Sequence, residues 1–150
     1  MFVQVYDASA LIKIAIYAGH VTVEEHERSI ALAQAMAKDA QRRPQTTARI
    51  VVIVESNEQP GAGVRRRLAA ADNTIPRYDF AFVSRSLLAR AANTAIGWLS
   101  PERAGCRRGV FETFEQARAW LVAAGAPEGK LASMYAQARS QQATEPSDPR

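Results

Sequence analysis

The chain has 150 residues, of which 47% are hydrophobic and 23% are charged, and apolar residues occur along its whole length. This composition excludes a disordered or collagen-like chain and suits one folded domain with a substantial core. Lys and Arg (19) exceed Asp and Glu (15) by four charges, an excess that permits an anionic partner without requiring one.

The compartment is inferred from cysteine usage and hydropathy. Cys106 is the single cysteine, so no internal disulfide, Cys-x-x-Cys redox pair or zinc-binding cysteine pair is available. The N-terminal segment lacks the basic stretch and uninterrupted apolar run of a signal peptide. No apolar run reaches the roughly 18–20 residues of a membrane-spanning helix. We therefore expect a cytoplasmic protein with no membrane span.

The N-terminal sequence predicts a hairpin followed by a helix. Residues 2–6 alternate with period two, and the alternation resumes over residues 11–17 after a turn-prone segment. The isoleucines of the second strand share one face and Lys13 lies on the other, so only the isoleucine face is fully apolar. Thr22 and Glu25 are spaced as a capping box, which predicts that a helix begins there.

Three further strands are predicted downstream. Residues 49–55 contain a continuous β-branched run, which is typical of a strand covered on both faces. Residues 78–83 and 107–112 are the other two strands.

A helix is predicted after each of these strands. Ser84 is the expected N-cap of one helix, and Thr113 with Gln116 forms a second capping box. Gly125 stands where a left-handed residue would end that last helix. Residues 130–139 predict one more, optional helix.

The predicted order is β-β-α-β-α-β-α-β-α with an optional C-terminal helix. This order predicts an α/β fold with a mixed, mostly parallel sheet, an N-terminal hairpin and right-handed crossovers. We expect a domain over residues 1–125, an appended helix over 126–142 and a flexible tail over 143–150. Ligands of such sheets gather at the carboxyl ends of the strands.

This pattern resembles the STAS (SpoIIAA-like) domains, which are anti-sigma-factor antagonists and their relatives, particularly the bacterial STAS/SEC14-like branch. The resemblance covers about residues 2–125. Besides the hairpin, it rests on Gly-His-Val-Thr-Val-Glu-Glu at 19–25, the strand at 50–54, Phe-Val-Ser at 82–84, the helix at 90–98 and the finish over 111–121.

The resemblance implies a small, non-catalytic module that binds a kinase or another signalling protein. Some members are regulated by phosphorylation in an Asp-Ser/Thr-Ser-Gly motif after the central strand. Ser56 occupies the equivalent position here, in a stretch that lacks the Ser-Gly step. Glu55 and Glu58 would repel a phosphate on Ser56 and the arginines beyond would attract it. Ser56 is thus either a phosphorylation site or an ordinary loop serine.

Three consecutive arginines begin the helix after this loop, where they oppose the positive end of the helix dipole. One interpretation is an anion site in which Gly61 and Gly63 allow close backbone approach and Arg85 joins the cluster. The other is a solvated face whose arginines pair with nearby carboxylates. The candidate anion- or partner-binding residues are Arg65, Arg66, Arg67, Ser84, Arg85 and Arg90.

Catalytic and metal-binding patterns are missing from the sequence. It contains no nucleophile elbow, phosphate loop or dinucleotide fingerprint. His20, Glu24, Glu25 and His26 lie close together but lack the His-Glu-x-x-His spacing of a zinc site. We expect no catalytic residue, no metal and no cofactor.

Two functions remain open at this level. The first is a non-catalytic STAS-like signalling module that binds a protein partner through residues 56–67 and 84–90. The alternative is a ligand-binding domain in which Arg65, Arg66 and Arg85 hold a lipid head group or nucleotide phosphate. Nucleic acid is disfavoured, because no reading motif accompanies the basic charge.

Overall fold

A computed structural model of the chain describes residues 1–58, 60–99 and 103–144, the side chains of residues 95–99 excepted. The strands are β1 (Phe2–Asp7), β2 (Ile12–Tyr17), β3 (Ala48–Val54), β4 (Tyr78–Val83) and β5 (Cys106–Phe111). The helices are α1 (Val23–Arg42), α2 (Ala62–Asp72), α3 (Leu87–Leu99), α4 (Phe114–Ala123) and α5 (Glu128–Thr144). The predicted α/β class is confirmed. The element order differs from the predicted one in that it ends on two helices. Strands β3 and β5 each begin and end one residue before their predicted bounds.

The five strands lie in the sheet in chain order. β1 is antiparallel to β2, and every later pair is parallel, which confirms a mostly parallel sheet with an N-terminal hairpin. Right-handed crossovers that always step in the same direction leave their helices on one face of a sheet. Accordingly α1, α2 and α3 cover one face, and α4 and α5 fold back over the other.

The face under α4 and α5 holds an extensive apolar core. The isoleucines of β2 are 0–1% exposed there and pack with residues of β3, α4 and α5. Leu131, Met134 and Ala138 of α5 belong to the same core, and α5 contacts both β1 and β2. The predicted appendage over 126–142 is therefore a 17-residue helix that packs on the sheet and continues through Thr144. Residues 145–150 of the predicted tail lie outside the described residues.

Several helix ends form as the local sequence predicts, and one predicted cap does not. The capping boxes Thr22–Glu25 and Thr113–Gln116 are both formed, as predicted, and Gly125 has a φ of +98°. Ser84, by contrast, is not the cap of α3, because the helix begins only at Leu87. The Ser84 N–H donates to the Phe111 carbonyl and extends the sheet. Ser86 Oγ accepts the Ala89 N–H at 3.2 Å instead, so the cap lies two residues later.

None of the helices in the described ranges is both long enough and apolar enough to cross a bilayer.

Candidate functional site

The carboxyl ends of β3 and β4 border a crevice of about 820 Å³, here called the outer crevice. A parallel sheet is expected to place its site at this edge. Ser56, Ser84 and Arg85, three of the residues predicted from sequence, line it. The remaining lining includes Thr113 at the start of α4, together with Tyr135 and Arg139 of α5.

Ser56 lies in the loop that leaves β3. Its hydroxyl is partly exposed and donates to the Glu58 carbonyl at 3.2 Å. The neighbouring carboxylates both have partners: Glu55 lies 2.5 Å from the guanidinium of Arg139, and Glu58 lies 3.1 Å from His20 Nδ1. The positive charge of Arg139 therefore reduces the repulsion that Glu55 would exert on a phosphate at Ser56.

Helix α5 forms one wall of the outer crevice. The Tyr135 ring stacks on Phe114 with ring centroids 3.8 Å apart, and Arg139 Nε donates to the Tyr135 hydroxyl at 3.0 Å. Partial burial opposes the charge on Arg139, but its hydrogen bonds to Tyr135 and Glu55 outweigh burial and raise the pKa of the guanidinium. Arg139 is thus a fixed cation that sequence reasoning did not assign to the site.

The segment between β4 and α3 lines another part of the outer crevice, through Ser84, Arg85 and Ser86. Arg90 Nη1 donates to the Ser84 carbonyl at 2.8 Å, so this arginine is engaged with the backbone of its own segment. Arg85 is exposed. Leu87 and Leu88, in the first turn of α3, are 74% and 80% exposed. They place two adjacent large apolar side chains in solvent beside the crevice.

The three consecutive arginines of α2 do not share one site. Arg67 donates two hydrogen bonds to the Glu27 carboxylate of α1, at 2.5 and 3.0 Å, and this pairing raises the pKa of the guanidinium. Arg66 is exposed, and Arg65 lines a different cavity. The predicted cluster of these arginines with Arg85 is therefore divided among four surroundings, since Arg85 lines the outer crevice.

A second cavity, of about 180 Å³, lies between the sheet and the helices α1, α2 and α3; it is here called the inner cavity. Lys13 of β2 and Asp72 of α2 both line it, and they are only 5% and 8% exposed. Arg65 and Arg108 contribute two more charges. The sequence analysis did not predict this site. A lysine in the middle of an otherwise apolar strand is nevertheless a signal for it, because lysine is rarely buried without a partner.

Glu25 has the structural role expected of it, since it accepts hydrogen bonds from the N–H groups of Thr22 and Phe2. Within the described part of the chain, no group of three or more His, Cys, Asp or Glu side chains is placed to hold a metal ion. Comparison with protein-family models, with curated proteins and with solved structures gives no match to this chain.

Proposed function

We propose that this chain is a non-catalytic STAS-like module that binds a protein partner over the outer crevice and the first turn of α3. The mostly parallel sheet with an N-terminal hairpin is compatible with such a domain. The observation that carries the proposal is the exposure of Leu87 and Leu88, at 74% and 80%, beside the crevice. Adjacent exposed apolar side chains next to a polar cleft are typical of interaction surfaces.

The apolar and polar parts of this surface have different roles. Covering a leucine completely is worth about 1.5–3 kcal/mol, so the two leucines together supply most of the affinity of a weak complex. Arg85 and the hydroxyls of Ser56 and Ser86 line the adjoining crevice and supply orientation. A kinase or another signalling protein with an apolar patch and an acidic rim fits this surface.

Regulation of the same surface is part of the proposal. A phosphate on Ser56 would add about 1.5–2 negative charges to a crevice that Arg85 also lines. The added charge would compete with an acidic partner for Arg85, so the modified protein would bind that partner more weakly. Intact-mass measurement after incubation with cognate kinases tests the modification, and an unmodified Ser56 would remove this part of the proposal.

A phosphate-bearing small molecule is the second candidate, because the outer crevice has a volume of about 820 Å³ and contains Arg85. A lipid head group or a nucleotide would use the same cation. Titration with inositol phosphate and with nucleotide separates this candidate from the first. Salt-sensitive binding that Arg85→Ala abolishes would favour the small ligand.

The test of the first candidate is site-specific photo-crosslinking in the native host. A photoreactive phenylalanine analogue replaces Leu88 in one variant and Val23 in another. Val23 is a matched control, because it is 72% exposed and begins the helix that follows β2, two strands away from β4. We expect one discrete crosslinked species from position 88 and none from position 23. Equal yields from the two positions, or none from position 88, would refute docking at α3.

A further inference from the structure

The inner cavity contains two buried, oppositely charged side chains that do not touch. Lys13 and Asp72 are each more than nine-tenths buried and line the same space. The Lys13 ammonium interacts with Asp72 only through space and has no hydrogen bond within residues 1–58, 60–99 and 103–144. Asp72 Oδ1 is also buried without a hydrogen-bond partner among the described residues. Buried charges are normally paired, so both groups point to something that the cavity takes up.

Two of the other polar groups that line the cavity satisfy each other. The hydroxyls of Tyr17 and Ser29 lie 2.6 Å apart and satisfy each other. Arg108 lies over the face of Phe80, with its guanidinium carbon 5.2 Å from the ring centroid. The charged groups that a ligand would meet among the described lining residues are thus Lys13, Arg65, Asp72 and Arg108.

The charges of the cavity favour an anion. Among the described residues, Lys13, Arg65 and Arg108 are the potential cations that line it, and Asp72 is the carboxylate. Burial lowers the pKa of Lys13 and raises that of Asp72, and in each case the charges around the cavity oppose the effect of burial. A bound anion would offset the desolvation of the lysine and restore its full positive charge.

The volume and the apolar walls of the cavity indicate the size and shape of the ligand. The volume of about 180 Å³ is slightly larger than the cavity of about 150 Å³ that holds benzene in an engineered protein core. Val52, Leu68, Phe80 and Phe82 form apolar walls. A compact ligand with a flat apolar body fits these walls better than a phosphate or a nucleotide does.

We propose that the inner cavity is a binding site for a small organic carboxylate of about the size of benzoate. Its carboxylate is held by Lys13 with Arg65 and Arg108, and its apolar body lies against Phe80 and Phe82. The site is separate from the outer crevice, so this proposal does not depend on partner docking at α3.

The test is titration of the full chain with sodium benzoate, followed by calorimetry and by amide chemical shifts of β2 and α2. We expect saturable binding, with the neutral analogue benzamide weaker by about tenfold or more because charge-assisted hydrogen bonds are lost. Lys13→Met should weaken benzoate binding by a similar factor. Lys38→Met is the matched control, since Lys38 is exposed on α1 and lines neither cavity.

Asp72→Asn should change the affinity for benzoate in the opposite direction to Lys13→Met. The test therefore does not depend on the correct folding of the lysine variant. Removing the carboxylate of Asp72 should strengthen benzoate binding severalfold, because a like charge no longer repels the ligand. No binding at 10 mM benzoate, equal binding of benzamide, or weaker binding by Asp72→Asn would each overturn the proposal.

Discussion

Replacing both buried charges of the inner cavity should stabilise the protein. In the double variant Lys13→Met/Asp72→Asn, two groups that are 5% and 8% exposed lose the charges that burial desolvates. The effective desolvation penalty is several kcal/mol for each buried ion. No contact within 4.0 Å joins the two groups, and at that distance their attraction is at most about 4 kcal/mol with an effective dielectric constant of 20. The penalties of two ions exceed this gain, so we expect the free energy of unfolding to rise by about 1–3 kcal/mol.

Urea denaturation of wild type, both single variants and the double variant, followed by far-UV circular dichroism at pH 7, measures this effect. The double variant should be the most stable of the four, since each single variant leaves one buried charge without its counterion. A double variant less stable than wild type by more than about 1 kcal/mol would refute the reasoning, because the two charges would then stabilise the fold.

The remaining predictions concern pH and packing. Burial lowers the pKa of Lys13 below its ordinary value of 10.5, so the unfolded chain holds this proton more tightly. The free energy of unfolding of wild type, relative to that of Lys13→Met, should therefore rise as the pH increases from the lowered pKa toward 10.5. Denaturation of both forms at a series of pH values checks the sign of this change. Leu131→Ala should lower the free energy of unfolding by about 2–5 kcal/mol, because Leu131 is fully buried between α5 and the sheet; a loss below about 1 kcal/mol would mean that α5 is not part of the core. Gly109→Ala should destabilise by about 1–3 kcal/mol, since a Cβ at Gly109 would lie 2.6 Å from the Phe111 ring. Gly63→Ala is its matched control, because a Cβ at Gly63 meets nothing within 4 Å and alanine stabilises a helix by about 0.5–1 kcal/mol relative to glycine. Equal changes in the free energy of unfolding at the two glycines would contradict the packing around Gly109.

Local patterns predicted most of the elements because their causes are local. The hairpin follows from period-two alternation, and the capping boxes at Thr22 and Thr113 need only two residues each. The cap of α3 was displaced from Ser84 to Ser86 because a hydrogen bond to β5 extends the sheet beyond β4. That bond joins residues far apart in sequence, and no local pattern reveals it.

The candidate sites were harder to predict because they depend on which surfaces meet. Alternation along β2 places Lys13 opposite the isoleucines, but only the sheet order shows that three helices cover that face. Successive residues on a helix point about 100° apart, so three consecutive arginines cannot share one surface. Arg65 lines the inner cavity and Arg67 pairs with Glu27 for this reason.

The central claim is that Leu87 and Leu88 anchor a protein partner, and the affinity of the crosslinked partner for three forms of the chain tests it most directly. Calorimetry would compare wild type, Leu87→Ser/Leu88→Ser and Val23→Ser, which change side chains of similar exposure at different places. Loss of two leucines that the partner covers, at about 1.5–3 kcal/mol each, should weaken binding by about a hundredfold or more. The Val23→Ser form should bind within about twofold of wild type. Unchanged affinity of the double leucine variant, or an equal loss in Val23→Ser, would contradict the claim.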